Sequence, residues 1–232
     1  MITVAGVPVK DLNNAKQRLI DILSPPERRE LARAMLKDVL AALNQAGLNA
    51  LFVVTRDPEV LELAHRFGAT ILREAENRGH TEAVALAQRH AARMGADRFL
   101  TIPGDVPQVT AEEIRAVCEG ADPGPRGVFV PSRSGFGTNA ALLTPPDVMP
   151  LKFGEPSFAN HLTAARERGL EPAVLRLPGL GLDIDGPDDL IALVGGERAT
   201  ESCRLLRAWG FPRRSPHSPS PLSSPPRGER AG

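Results

Sequence analysis

Three aspartates stand in two short loops, Ile102-Pro103-Gly104-Asp105-Val106-Pro107 and Gly181-Leu182-Asp183-Ile184-Asp185-Gly186-Pro187. Each loop follows an apolar run that reads as a strand and leads into a helix-like stretch. Carboxylates gathered in one place repel one another and hold their protons more tightly unless a cation compensates them. Magnesium suits an all-oxygen set and is usually shared with substrate phosphates. Asp183 and Asp185 are two apart, so an extended segment points both to one side. The pattern reads as a metal site that handles phosphates, and hence as an enzyme. A plainer reading stays open: Asp105 can close an Asx-turn, and Asp185 or Gly186 can cap a helix with Pro187 in its first turn. Thr110 and Glu113 form a capping box of their own, which frees Asp105 from that task. Asp188 and Asp189 then fall at a helix start and complement its dipole.

Cations for phosphates are offered near the N-terminus by Lys10, Lys16 and Arg18, within Pro8-Val9-Lys10-Asp11-Leu12-Asn13-Asn14-Ala15-Lys16-Gln17-Arg18-Leu19. A first strand-to-helix connection of this kind often cradles phosphates with backbone N–H groups and cations. The pattern G-x-x-x-x-G-K-[ST] is absent, and so is G-x-G-x-x-G, which argues against a P-loop kinase and against a classical nicotinamide dehydrogenase. By itself such a basic loop is more often a solvated surface.

The elements that would position these groups alternate along the chain. Ile2–Val9, Ala50–Thr55, Ala69–Leu72, Arg98–Ile102, Gly127–Pro131 and Asn139–Leu143 are short apolar runs that read as strands. Helical stretches lie between several of them. Ser24, Pro25 and Glu27 open the first, whose apolar positions Leu31, Met35, Val39, Ala42 and Leu43 keep a helical period until Gly47. Pro58–Phe67 ends at Gly68, a helix capped by Thr81 ends at Gly95, and Ser157–Arg168 ends at Gly169. Ser157, just after Pro156, reads as a cap of its helix. This rhythm predicts an α/β, single-domain fold with a mostly parallel twisted sheet and helices on both faces. Ligands on such sheets collect at the carboxyl ends of strands, where both acidic loops fall.

The chain of 232 residues suits one sizeable domain, and 42% hydrophobic residues is ordinary for a globular core. Its 28 basic and 28 acidic side chains cancel, which removes the usual electrostatic footprint of nucleic-acid binding. No apolar run reaches the roughly 18 residues of a membrane span, and no leader segment is evident. Cys118 and Cys203 are far apart and without metal-type spacing, so reduced thiols and a cytoplasmic setting are expected. From Phe211 onward Pro, Ser and Arg dominate, which predicts a disordered tail over 211–232 after a domain over 1–210. The sequence is compatible with a homodimer and does not require one.

Taken in order, five stretches carry a resemblance: Val7-Pro8-Val9-Lys10-x-Leu12-x-x-Ala15-Lys16-x-Arg18-Leu19; Pro103-Gly104-Asp105-Val106-Pro107; Gly137-Thr138-Asn139-Ala140; Phe153-Gly154-x-x-Ser157-Phe158-x-x-His161; and Leu182-Asp183-Ile184-Asp185-x-Pro187-x-Asp189-Leu190. Over about Ile2 to Val194 the chain resembles the phospholactate and phosphoenolpyruvate guanylyltransferases of coenzyme F-420 biosynthesis. The resemblance implies a Rossmann-like nucleotidyltransferase fold with GTP and Mg²⁺. The implied products are a guanylylated three-carbon phospho-acid and pyrophosphate, from phosphoenolpyruvate, 3-phosphoglycerate or 2-phospholactate.

Carried over by position, it implies that Asp105, Asp183 and Asp185 hold Mg²⁺ and that Lys16, with Lys10 and Arg18, faces the GTP phosphates. Gly79, Thr81 and Gly104 would also contact the nucleotide. Thr138, Gly154 and Ser157 would bind the phosphate and carboxylate of the acceptor, and His161 is either a further contact or a packed helix residue. One stretch differs. The family often shows Gly-Leu-Asn where this chain has Gly79-His80-Thr81, and a hydroxyl reads a base edge less strictly than an amide. Two other readings stay open: a related nucleotidyltransferase acting on a molybdopterin or sugar phosphate, and a silent nucleotide-binding protein.

Overall fold

The computed structural model describes residues 1–74, 76, 78–120 and 124–212. Asn77 and most of the expected tail, 213–232, lie outside the described residues. Among the described residues, strands β1 (Thr3–Pro8), β2 (Ala50–Val54), β3 (Thr70–Leu72), β4 (Arg98–Thr101), β5 (Arg126–Pro131), β6 (Thr138–Thr144) and β7 (Ala173–Val174) form one sheet. Its order is β3-β2-β1-β4-β6-β5-β7. β1 runs parallel to β2 and β4, β2 to β3, and β5 to β7. β6 is the exception, antiparallel to both β4 and β5. The short link over 132–137 dictates this, because a parallel return needs a crossover of a dozen or more residues.

The reversal has a direct consequence for the site. With Thr101 opposite Ala141, the start of β6 lies at the sheet edge where β1 and β4 end. Thr138 therefore meets the loops that follow Pro8 and Thr101.

The described elements also include helices α1 (Pro25–Ala46), α2 (Pro58–Arg66), α3 (His80–Arg93), α4 (Ala111–Glu119), α5 (Ser157–Arg166), α6 (Pro178–Gly181), α7 (Pro187–Gly195) and α8 (Glu201–Ala208), and two 3-10 turns, Leu12–Asn14 and Gln17–Leu19, on either side of Lys16. Alternation along the strands divides the core, with Val7, Val53, Leu100 and Leu142 meeting Met35, Val39 and Ile114 on one face. Phe52, Phe99, Phe129 and Leu143 meet Val84, Ala87 and Ala165 on the other. At Gly6 the layers come so close that a Cβ would lie 2.9 Å from Ala87 Cβ. The α/β fold with helices on both faces is as expected. No helix among the described residues is long and apolar enough to cross a membrane.

Several local expectations change. Gly79, not Thr81, caps α3 at its N-terminus. α5 begins at Ser157 itself and ends at Arg166, with Pro156 at the cap position, so Ser157 is not the cap. No strand leads directly into Asp183: the short helix α6 follows β7 and does so, because Glu113 reaches across to accept the main-chain N–H groups of Gly179 and Leu180 at 2.7 and 3.0 Å. Phe211 is buried with Trp209 in the core, so the packed domain runs past Gly210.

Candidate active site

Lys16 has a left-handed backbone, φ 55°, in the connection after β1, and its side chain is 8% exposed. Its ammonium lies 2.5 Å from Asp105 Oδ2 and 3.3 Å from Asp185 Oδ1. Burial alone would push the pKa of this ammonium down, but the carboxylates of Asp105 and Asp185 outweigh it and the net direction is up. Arg18 reaches Asp185 Oδ2 at 3.5 Å from a largely exposed position, so screening leaves that pair weak.

The two acidic loops are tied together through the backbone, with Ile184 N donating to Asp105 O at 3.1 Å. Ile184 is fully buried, which sets Asp183 and Asp185 on the opposite side, toward the cavity. Asp183 accepts from Asn139 Nδ2 at 3.1 Å. Burial pushes its pKa up, the Asn139 hydrogen bond opposes this, and repulsion from Asp105 and Asp185 adds to it. Asp185 is free of helix capping. Gly186 is the N-cap of α7, and Asp189 Oδ2 accepts from the N–H groups of Asp185 and Gly186 at 3.0 and 2.8 Å. Asp189 thus does more than complement a dipole, and Arg133 Nη2 holds its other oxygen at 2.6 Å.

A second group of residues gathers beside the aspartates. Thr138 Oγ1 lies 3.0 Å from His161 Nδ1 and 3.3 Å from Ser157 Oγ. His161 is 1% exposed, stacked on Phe129 with centroids 5.6 Å apart and meeting the edge of Phe153. Burial pushes its pKa down to about 4. His80, packed on the other side of Phe153, is also pushed down to about 4, by burial. Gly154 has φ +113°, and a Cβ there would meet nothing within 4 Å, so its missing side chain leaves open space.

Two cavities share a wall. The larger, of about 510 Å³, is lined by Lys10, Lys16, Gly104, Asp105 and Asp185 among others. The smaller, of about 260 Å³, takes in Asp105, Asp183, Asp185, Thr138, Gly154 and Ser157. Most of the residues singled out in the sequence are thus brought together. Arg18, Gly79 and Thr81 line neither cavity. Thr81 Oγ1 instead accepts from Phe153 N at 3.0 Å, which ties α3 to the loop carrying Gly154. Asn139 was missed as a partner of Asp183, although it adjoins Thr138 and lines the same smaller cavity.

Among the described residues, no three His, Cys, Asp or Glu side chains converge closely enough to form a ready-made metal cage. The donor chemistry nevertheless fits magnesium. Three carboxylates face one cavity, and Lys16 compensates two of them, which leaves Asp183 without a cation of its own among the described residues.

The model of the family described as "Guanylyl transferase CofC like" matches residues 3–222. A phosphoenolpyruvate guanylyltransferase of Sphaerobacter thermophilus is 45% identical over 197 residues, covering 84% of this chain and 94% of the relative. A 2-phospho-L-lactate guanylyltransferase of Methanothermobacter thermautotrophicus is 37% identical, covering 89% and 92%. Among solved structures, one named for a nucleotide-diphospho-sugar transferase of Desulfovibrio desulfuricans G20 superposes with a TM-score of 0.73 at 19% identity, covering 90% of this chain and 95% of the other. That likeness bears on the fold.

Proposed function

Because the chain belongs to the CofC-like guanylyl transferase family, and is therefore a nucleotidyltransferase, we propose that it moves the guanylyl group of GTP onto a three-carbon phospho-acid in coenzyme F-420 biosynthesis. One observation carries this reading: Asp105 and Asp185 form the wall between a larger cavity edged by lysines and a smaller one edged by hydroxyls. Such a wall suits a reaction in which two anions must meet.

In this reading the larger cavity takes GTP, with Lys10 and Lys16 facing its phosphates and Gly104 allowing close approach. The smaller cavity takes the acceptor. Thr138 turns its hydroxyl to the acceptor's anionic groups, and Ser157, whose own hydrogen goes to Thr138, supports that hydroxyl. A phosphate oxygen of the acceptor attacks the α-phosphorus in line, the new O–P bond forms, and the bond to pyrophosphate breaks. A phosphate monoester is already anionic near neutral pH, so no strong general base is required. His80 and His161 are uncharged there and add no competing cation. Asp105, Asp183 and Asp185 would hold Mg²⁺, which when bound supplies charge neutralisation to the phosphates. The protein's share of catalysis is positioning and electrostatics.

The Sphaerobacter relative is named for phosphoenolpyruvate, which makes that acid the first acceptor to test. Release of pyrophosphate from GTP and Mg²⁺ is expected with one of phosphoenolpyruvate, 2-phospholactate or 3-phosphoglycerate. Turnover only with a sugar or pterin phosphate, or none with any acceptor, would overturn the reading.

A further inference from the structure

Both ring nitrogens of the buried His161 are engaged. The main-chain N–H of Lys152 points at Nε2 from 3.0 Å, and a peptide N–H can only donate. Nε2 therefore presents its lone pair, and in an uncharged imidazole the hydrogen must then sit on Nδ1. The ring is kept uncharged by its surroundings, Phe129 on its face and Phe153 at its edge, where a cation would be poorly solvated.

The tautomer decides what Thr138 can do. Nδ1–H donates to Thr138 Oγ1 across 3.0 Å, so this hydroxyl accepts from the ring and keeps its own hydrogen. Ser157 Oγ, at 3.3 Å, donates to the same oxygen and occupies its second lone pair. With both lone pairs taken, the remaining O–H of Thr138 is available to the smaller cavity that Thr138 lines. With the other tautomer, Thr138 would give its hydrogen to His161 and turn lone pairs toward the cavity, which would repel an anion.

We infer that His161 is a positioning residue: it fixes the hydroxyl of Thr138 as a hydrogen-bond donor to the anionic group of the acceptor, and the Lys152 peptide N–H fixes His161. This deepens the proposed function and rests on its placement of the acceptor beside Thr138. His161 itself touches no substrate.

The structural half is read by ¹⁵N NMR of the imidazole in the full chain without ligands at neutral pH. Protonated Nδ1 and bare Nε2 are expected, and an Nε2–H tautomer or an imidazolium overturns the proposal. The functional half uses GTP and phosphoenolpyruvate. His161→Phe is expected to raise the phosphoenolpyruvate KM at least tenfold and leave the GTP KM within twofold. His161→Asn, which can set an amide N–H near the place of Nδ1, is expected to recover most of that loss, a rescue that mere packing would not give. In a Thr138→Val background, His161→Phe should shift the KM by no more than a further twofold. Equal changes in both KM values, or no recovery by Asn, overturn the proposal. If Thr138→Val raises the phosphoenolpyruvate KM and His161→Phe does not, the proposal fails while the pocket reading stands. If Thr138→Val leaves that KM unchanged, the pocket reading itself fails. If the unaltered chain does not turn over phosphoenolpyruvate, the NMR arm still decides the tautomer.

Discussion

The ammonium of Lys16 and the carboxylate of Asp105 meet at 2.5 Å although 89 residues separate them in the chain. The contact joins the connection after β1 to the loop after β4, two strands that lie side by side and end at the same sheet edge. It also supplies, from within the protein, the positive charge that clustered aspartates call for.

Replacing that charge should expose the demand. Lys16→Met removes the partner of both Asp105 and Asp185, and MgCl₂ is expected to raise the melting temperature of this variant more than that of the unaltered chain. Thermal unfolding with and without MgCl₂ measures it. An equal response in the two proteins would show that these carboxylates do not recruit the ion.

Asp183→Asn should separate stability from activity. Its carboxyl is pushed up by burial, so a neutral amide of the same shape relieves the fold while removing a metal-type donor. The expected result is an unchanged or higher melting temperature with turnover down by about 100-fold or more. Full turnover would remove Asp183 from the proposed metal set.

Ser157→Ala tests the smaller cavity. The hydroxyl lines the cavity and donates to Thr138, and it does not cap α5. The acceptor KM should rise on the order of tenfold, because Thr138 loses the donor that leaves its own hydrogen for the acceptor, a hydrogen bond worth about 1.5 kcal/mol, with the GTP KM unchanged. A protein that melts earlier but binds the acceptor as before would argue against a binding role.

A pH dependence follows from His161. Its ring titrates at about 4 in the fold and near 6.5 when unfolded, so between these values the unfolded chain binds the extra proton. Its contribution is complete above pH 6.5 and is lost as the pH falls toward 4, at roughly 1 kcal/mol per pH unit. His80 acts in the same direction, while the raised carboxyls of Asp38 and Asp183 oppose both. Denaturant unfolding across this window should show a shallower acid loss in His161→Phe than in the unaltered chain. Parallel curves would contradict the assignment of a neutral buried ring.

Truncation after Gly210 should destabilise the domain, because it removes Phe211 from the core. A buried phenylalanine reduced to a cavity costs about 3–5 kcal/mol, and the loss is read directly by denaturant unfolding. No change in stability would mean that Phe211 packs without consequence.

Local signals were the legible ones. The pairs Ser24–Glu27 and Thr110–Glu113 sit three residues apart, and Gly47, Gly68, Gly95 and Gly169 end helical stretches with positive φ, so neighbours in the chain suffice to read them. The direction of β6 was not read, because an apolar run carries no arrow, and only the shortness of the link over 132–137 could have revealed it. α6 escaped because the carboxylate that caps it comes from Glu113, 66 residues away. Thr81 looked like a cap until the structure placed its hydroxyl against Phe153. For the site, residue types offered Asp105, Asp183 and Asp185 beside plainer readings, and the family resemblance singled out Lys16 from its basic loop; these four do share one region of space. The contacts that orient them, such as Asn139 on Asp183 and Asp189 on the Asp185 amide, depend on tertiary approach and left no mark in spacing.

The reversed strand divides labour along the chain. Apart from Asp185, the larger cavity is edged by residues before Val106, whereas Thr138, Gly154 and Ser157 all come from β6 onward. A lineage could therefore remodel what the smaller cavity accepts through changes in its second half and leave nucleotide handling untouched. The Thr81–Phe153 contact is the seam across which such remodelling would first be felt.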